Sequence, residues 1–186
     1  SLDSAWTAQA AADAPVRALK VANDGIYAGG AFTNIGGGVS PHLVKLSAAT
    51  GARMAGWAPP APDGDVTLIV VTNSSVYVTG EFMQLGATSR RYVARLDADD
   101  GTFDSAWNPS PNGNVFGLVP DLDANMVYLA GNFTYLGSPA VPAFVLRRCS
   151  AETGTPDLTW TPDVNEAVYA MIAVDPEEGS GEDCLL

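Results

Sequence analysis

Short apolar runs separated by turn-forming residues recur along the chain in a fixed order. VRALKV (16–21), VTLIVV (66–71), VFGLVP (115–120) and VYAMIAV (168–174) are short and rich in β-branched residues, which predicts buried strands rather than helices. A polar turn follows, and then a second apolar element: GIYAGGAFTNIGG (25–37), SVYVTGEFMQLGA (75–87) and MVYLAGNFTYLGS (126–138). Tyr27, Tyr77 and Tyr128 align, as do Gly30, Gly80 and Gly131 and the phenylalanines Phe32, Phe82 and Phe133. The third element is LVKL (43–46), YVARL (92–96) and FVLRRC (144–149), with one cation repeating as Lys45, Arg95 and Arg148. A Gly-containing turn leads to the fourth, which ends in Trp57, Trp107 or Trp160, each followed within three residues by proline, a residue that cannot donate to a ladder.

The pattern returns about every 50 residues. Four short strands per repeat and no amphipathic helical stretch predict an all-β fold, a partial β-propeller of three complete four-stranded blades. The blades fall at about 14–60, 64–110 and 113–162, within one segment spanning 1–186. One flanking strand is expected at each end: 2–8, which carries Trp6, and 166–175. Closed propellers need about four to eight blades, so the chain reads as a segment of a longer polypeptide. On that reading DPEEGSGED is an acidic surface turn and Cys184, Leu185 and Leu186 open the next strand.

The ordered elements VRALKV, NDG, IYAGGAFT and VARLDADDGTFDSAWNP resemble the delta-60 repeat, a β-propeller family with Kelch-like four-stranded blades. The likeness extends from Ser1 to about Pro176. The acid that the family places before the phenylalanine is Ala31, Glu81 and Asn132 here, so no role carries over for it. The resemblance implies a propeller of an extracellular or cell-surface protein and implies no reaction.

Composition narrows the function classes. The formal charge is −12 with a pI near 4.1, which opposes binding to nucleic acid or to anionic lipid. No run of 18 apolar residues is present to insert as a membrane helix. The expected function is therefore a structural or protein-interaction propeller segment. Its partners would be the remaining blades of the same polypeptide or another protein chain. The alternative is a carbohydrate-binding, lectin-like propeller, in which aromatic side chains would stack on glycans.

Little in the chain suggests catalysis, so no enzyme activity and no cofactor are expected. The single histidine, His42, has no second histidine or cysteine pair near it. Asp97, Asp99, Asp100 and Asp104, and Asp121, Asp123 and Asn125, present oxygens of the kind Ca²⁺ takes, but neither group keeps a calcium-loop spacing. Solvated turns are the expectation, with no metal. Lys45, Arg95 and Arg148 are expected to pair with nearby carboxylates or carbonyls within or between blades. Phe32, Phe82, Phe133, Trp57, Trp107 and Trp160 are expected to form the repeat core. Asn73 and Asn132 head N-glycosylation sequons. Cys149 aligns with the core positions Leu46 and Leu96; it serves there as a small hydrophobe, or pairs with Cys184 or with a cysteine beyond residue 186.

Overall fold

A computed structural model describes Trp6 and residues 11–23 and 25–172, and every named element is a strand. The first blade comprises β1 (Val16–Ala22), β2 (Gly25–Gly30), the ribbon β3 (Asn34–Ile35) and β4 (Gly38–Val39), and β5 (Leu43–Leu46). The second repeats it with β6 (Val66–Val71), β7 (Ser75–Gly80), β8 (Gln84–Leu85), β9 (Thr88–Ser89) and β10 (Val93–Asp97). The third has β11 (Val115–Asp121), β12 (Met126–Gly131), β13 (Tyr135–Leu136), β14 (Val141–Pro142) and β15 (Leu146–Ser150). All ladders are antiparallel, in the orders β1-β2-β5, β6-β7-β10 and β11-β12-β15.

The fourth segment of each blade is slighter than the sequence suggests. It joins its sheet through a single bridge, Leu46–Arg53, Leu96–Phe103 or Cys149–Pro156, and then turns, so the tryptophans lie beyond the bridge rather than within a ladder. The flanking elements lie largely outside the described residues. Of 2–8 only Trp6 is described, and it is not in a strand. Residues 168–172 pack beside β11 without a ladder of their own, while 173–186 lie outside the described residues. A first strand needs the second strand of its own blade as partner, and none is described beside 168–172.

Blades stack because alternate residues of each first strand face opposite neighbours. Ile69 and Val66 of β6 face back onto blade 1, where an added Cβ on Gly29 would meet both. Ala18, Ile69, Val66, Val78, Phe82 and Leu96 form one core cluster; Leu118, Val127, Leu129 and Phe133 join Tyr77 and Trp107 in the next. Phe32, Phe82 and Phe133 have no exposed surface.

Each Gly-x-Phe is clamped by a corner that follows it. His42, Tyr92 and Val145 all take φ near +63°, where side chains are rarely found. Each donates its N–H to the phenylalanine carbonyl and accepts from the glycine N–H: Phe32 and Gly30, Phe82 and Gly80, Phe133 and Gly131. The strained corner is thus held by two hydrogen bonds in every blade.

Candidate functional site

The most elaborate polar construction lies between blades. Tyr27, Tyr77 and Tyr128 meet Trp57, Trp107 and Trp160 edge-on, with centroids 5.1, 5.2 and 5.3 Å apart. Lys45 lies over the Tyr27 ring; Arg95 and Arg148 lie over Trp107 and Trp160. The layer then reaches into the following blade. Trp57 Nε1 donates to Asp97 O at 3.1 Å and Trp107 Nε1 to Ser150 O at 3.2 Å. Lys45 Nζ donates to Ala98 O, and Arg95 donates to Ala151 O and Glu152 O. Trp6 makes the same kind of bond to Ala48 O of blade 1, so it stands where the tryptophan of a preceding blade would stand. Trp160 is half-buried, unlike buried Trp57 and Trp107, because no following blade covers it among the described residues.

The repeated cation therefore serves the repeat. Arg95 Nε is 2.9 Å from Asp104 and Arg148 Nε 2.7 Å from Asp157; Met54 holds that position in blade 1, where the cation is lysine. Two further arginines escape the sequence alignment. Arg90 Nη1 donates to Trp107 O and Arg147 Nη1 to Trp160 O, both at 2.7 Å. They come from different repeat positions, so no periodic signal marks them.

The acidic residues are occupied with backbone. Asp97 Oδ1 accepts from the N–H groups of Asp99 and Asp100, Asp100 from Thr102, and Asp121 from Ala124. Among the described residues no group of three or more His, Cys, Asp or Glu side chains is placed to hold a metal ion. Asp13, Asp63 and Asn112 each tie down the turn after the phenylalanine: Asp13 accepts from Thr33 and Asn34, Asp63 from Met83 and Gln84, Asn112 from Thr134 and Tyr135. The signal for this clasp is in the sequence, since each stands three residues before the first apolar run.

These bonds hold several carboxyls below their usual range. The Thr33 and Asn34 donors lower Asp13. Thr159, and then Arg148, bring Asp157 down to about 2. At Asp63 and Asp104 burial pushes upward, but backbone N–H groups, joined at Asp104 by Arg95, outweigh it. A carboxyl with a lowered folded pKa stabilises the fold above its unfolded value of about 4, and that contribution vanishes as pH falls through the folded value. Tm is accordingly expected to drop between pH 4 and pH 2, and Asp157→Asn to show a shallower drop. Melting curves at pH 6, 4 and 2.5 check this; a variant with an unchanged pH slope would contradict it.

The remaining candidates are placed as follows. His42 Nδ1 is 2.9 Å from Gly30 O and 3.5 Å from Asp65 of blade 2. Cys149 is a free, buried thiol whose Sγ lies 3.5 Å from Val127 O; burial pushes its pKa up to about 12. Cys149 lies in the core cluster with Val127, Leu129 and Leu136, and its candidate partner Cys184 lies outside the described residues. Asn73, in the β6–β7 turn, and Asn132 are both exposed. No helix among the described residues is long and apolar enough to cross a membrane.

With this geometry the chain is a partial β-propeller. Residues 22–51 and 73–106 match a family model described as "Domain of unknown function (DUF5122) beta-propeller". Among solved structures the chain is similar to the computationally designed Ika4 protein, with 12% identity and a TM-score of 0.59 over 89% of this chain and 83% of that one. It is also similar to the computationally designed Ika8 protein, with 13% identity and a TM-score of 0.56 over 86% of this chain and 40% of that one. At these identities the likeness concerns the fold alone. No curated protein matches.

Proposed function

We propose that this chain is a structural or protein-interaction segment of a larger extracellular or cell-surface protein, built to be joined at its ends by further blades of the same polypeptide or by another chain. The observation that carries the reading is the contrast along one repeat position. Ile69 and Leu118 are 5% and 4% exposed, whereas Leu19, their counterpart in the first blade, is 66% exposed. At the other end Leu158, Tyr169 and Ile172 are exposed and Trp160 is half-buried. The reading assigns no reaction: His42 is engaged by Gly30 and Asp65, and Cys149 is buried and protonated. The exposed sequons at Asn73 and Asn132 fit an extracellular setting. A lectin-like role has one favourable observation, exposed Tyr135 beside Asn112; the tryptophans are turned inward between blades.

Aspartate substitution tests the open face. Leu19→Asp is expected to change the stability of the isolated chain by no more than about 0.5 kcal/mol, as surface changes do. Ile69→Asp, which buries an unpaired carboxylate, is expected to cost at least about 3 kcal/mol. Urea titrations of both variants decide the matter. Equal losses would mean that Leu19 is already covered within the chain, and the end would then not be open to a partner.

A further inference from the structure

Blades 2 and 3 each hold a buried guanidinium against the carbonyl of their tryptophan. Arg90 bridges Trp107 O at 2.7 Å and Ser105 O at 3.0 Å, with the Phe103 ring 4.8 Å away; Arg147 bridges Trp160 O and Pro142 O. Blade 1 has neither arginine. Ser40 stands at the position of Arg90 and Val44 at that of Arg147, and the Ser40 hydroxyl is turned to Val39 O. No side chain among the described residues donates to Trp57 O. A partly open cavity of about 110 Å³ remains there, lined by Ser40, Leu43, Val44, Arg53, Trp57 and Pro59. That is the room of about three to four waters.

We propose that this cavity is a guanidinium site, which takes the head of an arginine side chain presented by a protein partner. Trp57 lines it, and Trp107, the counterpart of Trp57 in blade 2, gives its carbonyl to Arg90. The Leu46–Arg53 and Leu96–Phe103 bridges set the same register, so Ala55 and Trp57 carry the carbonyls that answer to Ser105 and Trp107. A planar fork spans two carbonyls, whereas an ammonium is a point donor, so the site selects arginine over lysine. The overall charge of −12 attracts a cation. Arg53, on the rim, stands where Phe103 lies along Arg90 and acts against the incoming charge.

The test titrates the chain with N-acetyl-arginine amide, N-acetyl-lysine amide and methylguanidinium, following the Trp57 indole N–H by NMR. The arginine analogue is expected to shift that signal with a dissociation constant on the order of millimolar, as befits so few contact atoms. The lysine analogue is expected to bind at least about tenfold more weakly, having lost a bidentate pair. Comparable binding of methylguanidinium identifies the head group alone as the ligand; binding of methylguanidinium but not of the arginine analogue would overturn the partner-arginine source. Ser40→Arg supplies the guanidinium internally; it is expected to abolish the shift and raise Tm by about 2–4 °C. Arg90→Ser opens the same cavity in blade 2 and is expected to add a second responsive indole, that of Trp107. Equal response to arginine and lysine, or unchanged binding in Ser40→Arg, would overturn the proposal.

Discussion

Trp107→Ala is expected to lower the unfolding free energy by about 3–5 kcal/mol. The side chain has no exposed surface, meets Tyr77 at 78°, carries Arg95 over its ring and donates to Ser150 O in the next blade. Removing it opens a cavity at the blade interface and takes one of two donors from Ser150 O, which keeps the Gly154 N–H. Trp160→Ala takes away the same residue from the same repeat position, with the same tyrosine and arginine contacts. It is half-buried and has no blade beyond it among the described residues, so about 1–2 kcal/mol is expected. Urea unfolding followed by fluorescence separates the two. A Trp160 loss equal to that of Trp107 would mean that the interface contributes little and the tyrosine contact nearly everything.

The second large effect is expected at a residue with no side chain. A Cβ at Gly80 would lie 2.0 Å from Asp65 O and 2.9 Å from Asp65 C and Val66 Cα. Gly131 meets Asn114 O at 2.0 Å and Gly30 meets Pro15 O at 2.2 Å. These are backbone atoms at the point where each first strand shifts register against its neighbour, so relief requires moving the ladder itself. Gly80→Ala is expected to cost about 3 kcal/mol, at the upper end for overpacking. Gly56→Ala, with nothing within 4 Å, is expected to stay within about 0.5 kcal/mol. Similar melting temperatures for the two variants would remove close approach as the reason for the repeated glycine.

Much of the blade was legible because it depends on residues that recur. The glycines, phenylalanines, tyrosines and cations return at one spacing, and the glycines, phenylalanines and tyrosines do the same work in every blade. What was not legible depends on backbone or on neighbours. His42, Tyr92 and Val145 share a strained corner but no chemistry, so nothing in their side chains announces it. Arg90 and Arg147 reach equivalent carbonyls from positions that do not align. The fourth segment has strand-like composition, yet after one bridge its residues turn to place tryptophan between sheets. Residues 168–172 have the apolar run of a first strand without the partner that would make it one. Trp160 has the sequence setting of Trp107; only the presence or absence of a following blade distinguishes them.

The tryptophan bonds all point one way along the chain: Trp6 to Ala48, Trp57 to Asp97, Trp107 to Ser150. It follows that a blade is finished by residues made after it. During synthesis on a ribosome, blade 1 would wait for Asp97 and blade 2 for Ser150 before its indole found an acceptor. The delay is the time taken to make some forty residues, roughly 2–8 s at ordinary elongation rates. A nascent chain of this kind always trails one unfinished blade behind the growing end, with a tryptophan open to whatever first meets it.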